Sequence, residues 1–361
     1  MVVLALLAGC SSSTDLVARR RGLGVVDGGR PDAPVEAGPE AGLDAAPDAA
    51  PDAEPPAPPL CAAIGCERLA SRALICASEP RRPSVQLGDG CEVGEGPRFR
   101  YAVCACSDLV TDDPFGVDVL AGVVPGSASV AINQDLRLGA DATIDGSLRI
   151  SGLYSPLNGS PPQVSGSVLE GAAPACDCEP ARLLDVAALV QARASDNDNA
   201  RAGLDPASLD DYSGMRALTL DCGRYYLPRL AGSGPLQIEA RGRVALFIDG
   251  NIELGDTLTL TLQDAASAEI FVRGNVRVNG RVELSTSNDG NRILLMVGGT
   301  GNIQLNGPTT IDGSLYAPRA ELVTQAGLEL HGAMFVRRAA LSGVTRVHFE
   351  PLAAPDPSCM P

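Results

Sequence analysis

The sequence predicts an all-β protein, a right-handed parallel β-helix in which short strands wind into stacked coils. Residues 312–330 can be laid over residues 331–349 without a gap, and upstream 248–252 resembles 272–276, twenty-four residues later. Repeats of this kind are typical of solenoids, whose coils bury their inward faces only by stacking. The nineteen-residue overlay pairs Gly313/Gly332, Leu315/Met334, Tyr316/Phe335, Arg319/Arg338, Ala320/Ala339, Leu322/Leu341 and Leu330/Phe349.

Short apolar pairs with a period of two run through the same region. Side chains at alternate positions of a strand lie on one face, and the Gly, Asn and Asp residues between the pairs favour turns. We therefore expect about three strands per coil around an aliphatic interior. An antiparallel sandwich is the alternative, but it does not readily explain a repeat step of twenty-four residues followed by one of nineteen. The pairs include Leu246/Ile248, Ile252/Leu254, Leu258/Leu260, Ile270/Val272, Val276/Val278, Val282/Leu284, Ile293/Leu295 and Ile303/Leu305.

Composition limits both the core and the partners of this chain. Its 361 residues are 45% hydrophobic but only 3% aromatic, with no Trp, so aliphatic side chains must build the core. The formal charge is −16, and every basic residue is Arg. Because phosphate contacts need clustered Lys or Arg, we expect no nucleic-acid partner.

The first ten residues look like a bacterial lipoprotein signal. An apolar run ends in Leu7-Ala8-Gly9-Cys10 and is followed by three serines. Such a lipobox implies that Cys10 is acylated and anchors the chain in a membrane. No basic residue precedes the short apolar run, which departs from the signal-peptide pattern. A chance Cys after an apolar stretch is the alternative.

Residues 11–60 are predicted to be a disordered tether. Nine Pro and seven acidic residues lie between Pro31 and Leu60. Such a composition cannot bury enough apolar surface to fold, and it stays extended and solvated.

Residues 61–116 are predicted to form a Cys-rich module that precedes the β-helix. Ten cysteines follow Cys10, and an even number in an exported chain indicates disulfides, with the connectivity left open. We expect the first six to staple the module, and the last four to fix the insertion and the C-terminal tail to the solenoid. Thiolate metal ligands at the two Cys-x-Cys pairs are the alternative. The ten are Cys61, Cys66, Cys76, Cys91, Cys104, Cys106, Cys176, Cys178, Cys222 and Cys359.

The β-helix is predicted over 117–350, with an insertion at 171–215 and a Pro-rich tail at 351–361. The letters Ile-Asp-Gly-Ser-Leu occur at both 144–148 and 311–315, which indicates one template before and after the insertion. Within the insertion, a helix is expected over 180–194, with Pro180 in its first turn, and it caps or flanks the solenoid. The Asp- and Asn-rich stretch 195–211 is either a solvated loop or a calcium site, although the EF-hand spacing fails.

Seven motifs in the second half of the chain form a recognisable set. They are Cys176-Asp-Cys178, Asn197-Asp-Asn199, Cys222-Gly-Arg-Tyr-Tyr226, Gly242-Arg-Val-Ala-Leu-Phe-Ile-Asp-Gly250, Phe271-Val-Arg-Gly-Asn275, Leu315-Tyr-Ala-Pro318 and His348. Together they resemble a family of predicted myxobacterial surface lipoproteins that carry an uncharacterised parallel β-helix domain. The resemblance covers about 174–350 and implies fold and location, but no activity. The chain departs from it at Phe349-Glu350, where relatives often have Tyr and Asp.

The sequence offers few candidates for catalysis. The two histidines, His331 and His348, are offset by two positions in the overlay, so we expect that they do not stack, and we assign no catalytic residue, metal ligand or cofactor. Asp145, Asp249 and Asp312 precede glycines at turns that we expect to be equivalent, where Asp bonds to the backbone. The modest candidates for stacking on a sugar are Tyr225, Tyr226 and Tyr316.

These observations favour a non-enzymatic outer-membrane lipoprotein with a structural or adhesion role. Its partners are then the membrane, through the lipid, and envelope polysaccharide or surface proteins. A polysaccharide-binding or polysaccharide-degrading β-helix enzyme is the first alternative. A bactofilin-like scaffold, which polymerises through its solenoid ends, is the second. We expect a monomer, because the Cys-rich module, the insertion and the tail can cover open strand edges.

Overall fold

The computed structural model describes residues 99–350, except for 121–122, 140, 158–159, 264–265 and 287–290. Several predictions concern other parts of the chain and lie outside the described residues. These are the lipobox, the tether, most of the Cys-rich module and the Pro-rich tail, with Cys10, Cys61, Cys66, Cys76, Cys91 and Cys359.

Short strands make up nearly all the regular structure of the described residues. Ten lie before the insertion: β1 Val103–Ala105, β2 Leu109–Thr111, β3 Phe115–Val119, β4 Val130–Ile132, β5 Leu136–Leu138, β6 Thr143–Ile144, β7 Leu148–Ile150, β8 Tyr154–Pro156, β9 Gln163–Val164 and β10 Val168–Glu170. Fifteen follow it: β11 Arg216–Leu227, β12 Leu230–Gly232, β13 Leu236–Ile248, β14 Ile252–Leu254, β15 Leu258–Leu262, β16 Ser267–Val272, β17 Val276–Val278, β18 Val282–Thr286, β19 Ile293–Val297, β20 Asn302–Leu305, β21 Thr309–Ile311, β22 Gly313–Thr324, β23 Leu328–His331, β24 Met334–Leu341 and β25 Thr345–Phe349.

Every pairing between these strands is parallel. An antiparallel sandwich would pair its strands in opposite directions. The predicted parallel β-helix is therefore confirmed, and the sandwich alternative is wrong.

The coils have three faces, each a parallel sheet. Face 1 stacks the first halves of β11 and β13, then β15, β18, β21, β23, β25, β3, β6 and β9. Face 2 stacks the second halves of β11 and β13, then β16, β19, the first halves of β22 and β24, β1, β4, β7 and β10. Face 3 stacks β12, β14, β17, β20, the second halves of β22 and β24, β2, β5 and β8.

Inward side chains stack as ladders of similar residues and form the core. On face 2, for example, Leu246, Ile270, Leu295 and Leu315 lie in register on successive coils, and all four are buried. Burial of each such side chain contributes about 1.5–3 kcal/mol. The aliphatic interior expected from the composition is therefore formed by the period-two pairs.

The N-terminal coils stack on the C-terminal coil, which places the start of the described chain in the middle of the solenoid. β25 pairs with β23 on one side and with β3 on the other. Similarly, β24 pairs with β22 on one side and with β1 and β2 on the other. The two ends of the stack are therefore β11–β12 and β8–β10, which residues 171–215 connect.

This permuted order corrects two predictions. The Cys-rich module was expected to extend to residue 116, but β1 and β2 already belong to the solenoid because they pair with β24 on one side and with β4 and β5 on the other. The tail was expected to block the last coil after Phe349. That strand has no open edge to block, because β3 pairs along it.

The nineteen-residue overlay holds for only part of its length. Leu315 faces Met334 and Tyr316 faces Phe335 as predicted, but the register then shifts between Ala317 and Glu321. Beyond that irregularity the step is seventeen residues, so Glu321 faces Arg338. The gap-free pairings Arg319/Arg338, Ala320/Ala339, Leu322/Leu341 and Leu330/Phe349 are therefore wrong. The twenty-four-residue step is confirmed, since Ile248 faces Val272.

Residues 171–215, here called the strap, contain all the helices found among the described residues. Helix α1 spans Val186–Ala192 and α2 spans Asn199–Ala202, with 3₁₀ turns at Pro180–Arg182 and Pro206–Leu209. The predicted helix over 180–194 begins only at Val186, because the Asp185 side chain caps it by accepting a hydrogen bond from the Ala188 amide at 3.0 Å. Neither helix, nor any other in the described residues, has the length and apolar character of a membrane span.

Candidate functional site

The strap packs on the outward side of face 2. Three side chains of α1, Val186, Leu189 and Val190, are buried against an outward apolar row formed by Phe247, Phe271, Met296 and Tyr316. The rings of Phe247 and Phe271 stack with centroids 4.6 Å apart, and the Leu184 amide donates to the Tyr316 hydroxyl at 2.9 Å. Both sides of face 2 are therefore buried, the inward side in the solenoid core and the outward side beneath the strap.

Two disulfides fix the strap to the N-terminal coil. Cys104 pairs with Cys176 and Cys106 pairs with Cys178. These bonds contradict the prediction that Cys104 and Cys106 staple a separate module, and they exclude thiolate metal sites at both Cys-x-Cys pairs. The physical reason is the permuted order, which places β1 directly beneath the strap. Asn133 supports the junction, since its Oδ1 accepts from the amides of Ala175 and Cys176, both at 3.0 Å.

The far part of the strap covers the edge of β11. Asp198 Oδ2 accepts from the Arg224 amide at 2.9 Å, while Asn199 both accepts from the Tyr226 amide and donates to the Tyr226 carbonyl. Both side chains are buried. Asp198 and Asn199 are therefore not free oxygen ligands, because their side-chain oxygens accept from backbone amides on the edge of β11.

Asn199→Ala should destabilise the protein by about 2 kcal/mol, because the amide and carbonyl of Tyr226 lose their partners. Denaturant unfolding measures this change. Asn302→Ala, which alters an exposed residue of β20, is the control and should stay within about 0.5 kcal/mol of wild type. Equal stability of the Asn199→Ala and Asn302→Ala variants would contradict the role of Asn199 in covering the edge of β11.

Face 1 brings both histidines together on its outward side. His331 on β23 faces His348 on β25 in strand register, and their ring centroids lie 4.9 Å apart. The prediction that they do not stack is wrong, because the coil step here is seventeen residues rather than nineteen. The row continues at each end with a carboxylate, Asp312 beside His331 and Asp118 beside His348.

Each histidine has its own carboxylate beside Nδ1, and the two histidines share a third carboxylate, Glu329, near their Nε2 atoms. Asp312 Oδ1 lies 2.8 Å from His331 Nδ1, and Asp118 Oδ1 lies 2.6 Å from His348 Nδ1. Glu329 Oε1 lies 3.5 Å from His331 Nε2 and 3.7 Å from His348 Nε2. The three ligand-type atoms of Glu329, His331 and His348 lie within 4.8 Å of one another. We call these five side chains the histidine ladder.

Electrostatic coupling within the histidine ladder shifts two pKa values. The hydrogen bond to Asp312 raises the pKa of His331, although partial burial opposes this shift. Burial alone would raise the pKa of Asp312, but hydrogen bonds from His331 and from the Thr286 amide lower it. The Asp312 carboxylate is therefore held ionised as an acceptor for the Nδ1–H of His331.

Comparisons with known proteins add a domain match but no activity. Residues 176–354 match a family model. It is described as a domain of unknown function, DUF7305. No curated protein of similar sequence is found. Among solved structures, an ice-binding protein from the Antarctic ascomycete Antarctomyces psychrotrophicus has a TM-score of 0.28 and 12% identity, over 70% of this chain and 96% of that chain. A likeness this weak carries no argument about function.

The DUF7305 match covers most of the strap and all of β11–β25, and leaves β1–β10 outside it. It agrees with the uncharacterised domain of the resemblance, whose myxobacterial origin and lipoprotein character stay predictions. Within the histidine ladder, four residues fall inside the match, and Asp118 lies outside it. The ladder is therefore completed by an N-terminal coil.

The tyrosines predicted for sugar stacking do not form an exposed platform. Tyr225 and Tyr316 are buried, and Tyr226 is half-buried with its hydroxyl donating to Asp249 at 2.8 Å. All six Tyr and six Phe of the sequence lie in the described residues, and none of them is exposed. This removes the aromatic contribution expected for the polysaccharide-binding alternative.

The three aspartates expected at equivalent turns occupy two different corners. Asp145 and Asp312 follow face 1 strands, whereas Asp249 follows a face 2 strand. Of the three, Asp312 accepts a backbone hydrogen bond, from Thr286. Asp145 instead accepts from the Ser165 hydroxyl, and Asp249 accepts from Tyr226 and Arg273. The predicted equivalence is wrong because the motif letters do not specify the corner.

Asp249→Asn should remove a pH-dependent part of stability. Burial alone would raise the pKa of Asp249, but hydrogen bonds from Arg273 and Tyr226 lower it below its ordinary value of 3.8. A depressed carboxyl pKa stabilises the fold above the unfolded value, and this stabilisation is lost as pH falls through the folded value. Urea unfolding should show wild type more stable than the variant at pH 7, with the gap closing below about pH 4. A gap that is constant with pH would contradict this assignment.

Proposed function

We propose that this protein is a non-enzymatic, lipid-anchored module of the bacterial cell envelope, in which a tether presents a rigid β-helix for a structural or adhesive role. The observation that carries the proposal is the pair of disulfides between strap and N-terminal coil. Such bonds persist mainly in oxidising compartments outside the cytosol, which suits an exported chain with a lipobox at Cys10.

The permuted stack supports presentation from a tether. The described chain begins at Phe99, a few residues before β1, in the middle of the solenoid. The strap covers the outward side of face 2, which leaves the outward sides of faces 1 and 3 as the surfaces that a tethered module can present. Partners of the module are then envelope polysaccharide or surface proteins that bind a flat sheet face.

Cys10→Ser tests the anchor. Wild-type chain expressed in a bacterium with lipoprotein processing should enter the membrane fraction, and mass spectrometry should find a diacylglycerol-modified Cys10 at its N-terminus. The Ser variant should be unlipidated and leave that fraction. Wild type that stays soluble with an unmodified Cys10 would overturn the anchor. Comparing the adhesion of cells that carry wild type with that of cells that carry the Ser variant then distinguishes a module presented at the surface from one that is only exported.

The scaffold alternative predicts filaments. The two ends of the stack instead favour a monomer or a small oligomer. At one end the strap caps β11, and Tyr212 pairs with Gly232 beside it. At the other, Leu153, Val168 and Leu169 are exposed. One open end permits a closed dimer but not head-to-tail growth, and the charge of −16 opposes close association at low salt. Light scattering on the Cys10→Ser chain should show a monomer or small oligomer, whereas filaments would favour the scaffold.

A further inference from the structure

We propose that Glu329, His331 and His348 form a binding site for a divalent first-row transition metal, with zinc as the best fit, on the outward side of face 1. The proposal is independent of the envelope function. It rests on the geometry of the histidine ladder, whose two histidines are the only ones in the sequence.

The ring orientation is what a metal site requires. Asp312 and Asp118 each accept at the Nδ1 of one histidine, so Nδ1 carries the proton and Nε2 of the neutral ring keeps its lone pair. Metal-binding histidines nearly always donate their other nitrogen to such a carboxylate or carbonyl, which fixes the tautomer and raises the basicity of the ligand. Both rings are therefore set with Nε2 toward the same carboxylate, Glu329.

The distances around Glu329 suit a shared ion better than direct hydrogen bonds. Its Oε1 is 3.5 and 3.7 Å from the two Nε2 atoms, whereas hydrogen bonds of this type are centred near about 2.9 Å. Two ligands of one tetrahedral zinc, with bonds of about 2.0–2.1 Å, lie about 3.3 Å apart. All three ligand atoms lie within 4.8 Å of one another, so small movements of the half-exposed Glu329 side chain and of the two rings close the site.

Local charge also favours a dication. Three carboxylates, Asp118, Asp312 and Glu329, surround the two rings. One cation, Arg346, has its Cα in register with Glu329, so the local balance of charge stays negative. The two imidazole ligands favour zinc, copper, iron or nickel over calcium or magnesium, and zinc also accepts a carboxylate beside two histidines. Three protein ligands leave a tetrahedral zinc at least one position for water or an external group.

The complete histidine ladder, with Asp118 beside His348, forms only in the permuted stack. His331 and His348 come from neighbouring C-terminal strands, while Asp118 comes from β3, which reaches His348 only when the N-terminal coils stack on β25. Metal binding should therefore also stabilise this junction, because an ion that binds only the folded chain shifts the unfolding equilibrium.

Calorimetric titration of the full, oxidised, EDTA-treated chain with zinc chloride tests the proposal. Wild type should bind one zinc, and His331→Ala and His348→Ala should each weaken binding by about 100-fold. Asp312→Asn and Asp118→Asn should each weaken it by about 10-fold to 100-fold. Glu283→Gln is the matched control, since Glu283 lies in the same outward row of face 1 as Glu329, two strands away on β18. This variant should bind zinc as wild type does.

Two further measurements separate this site from other metal ligands and from unfolding. The cobalt-substituted chain should give a spectrum of nitrogen and oxygen ligands without a thiolate charge-transfer band. Zinc should raise the midpoint of thermal unfolding of wild type but not of the variant with both histidines replaced. No binding by wild type, a loss under about 10-fold in each histidine variant, or a thiolate spectrum would each overturn the proposal.

Discussion

Replacing Cys104, Cys106, Cys176 and Cys178 together by Ser is expected to lower the free energy of unfolding by about 6–7 kcal/mol. Each disulfide spans 72 residues. Closing the first loop of that length removes about 4.4 kcal/mol of chain entropy from the unfolded state. Once it is closed, the second bond closes a ring of only about six residues, worth about 2.2 kcal/mol.

The two bonds should therefore be strongly non-additive. Replacing only Cys104 and Cys176, or only Cys106 and Cys178, should cost about 2 kcal/mol, because the remaining bond still closes the long loop. Denaturant unfolding of the three variants measures these differences. Two single-bond losses that add up to the full loss would mean that the bonds do not close one common loop.

Gly313→Ala is expected to cost about 3 kcal/mol or more, because the corner between faces 1 and 2 has no room for a side chain. A Cβ at Gly313 would lie 2.2 Å from the Ile293 carbonyl oxygen on the neighbouring coil. The same crowding recurs one coil on, where a Cβ at Gly332 would lie 2.2 Å from the Gly313 oxygen. The coils cannot move apart at this corner without breaking ladder hydrogen bonds on faces 1 and 2.

Gly116→Ala is the matched control for this prediction. Gly116 also lies in a solenoid strand, β3, but the nearest atom to its added Cβ, Thr143 Oγ1, is 3.6 Å away. That distance is an ordinary contact, so the variant should stay within about 0.5 kcal/mol of wild type. Thermal or denaturant unfolding decides, and equal losses at Gly116 and Gly313 would contradict the crowding argument.

Local pattern was sufficient to predict the coil. Period-two pairs such as Leu246/Ile248 fix which side chains face inward, and the step from Ile248 to Val272 matches the observed register. These features depend on contacts between adjacent coils, which repeat in the sequence. For this reason fold class and core could be predicted before any site was known.

The covered side of face 2 had a sequence signal that the prediction did not use. Residues 244–248 and 293–297 are apolar at every position, where a strand with one solvated side would alternate. Runs of this kind indicate burial on both sides of a sheet. Phe247 and Met296, lying between the period-two pairs, mark the row that α1 covers.

The histidine ladder was missed because of a two-residue irregularity in β22. A gap in the overlay between Ala317 and Glu321 would have put His331 and His348 in register. Asp118 could not have been found in this way, since nothing in the local pattern pairs β3 with β25. Each coil presents a similar edge to its neighbours, so no single motif specifies the stacking order.

An engineered cross-link between β3 and β25 tests the permuted order most directly. Gly116 and Arg346 are Cα partners on the outward side of face 1, and neighbouring strands at about 4.8 Å suit a disulfide. Gly116→Cys with Arg346→Cys should form that bond nearly completely in the folded chain, as read by peptide mass spectrometry. Gly116→Cys with Gln237→Cys, six strands apart on the same face, should not. A folded chain with no link between residues 116 and 346 would contradict the permuted stack.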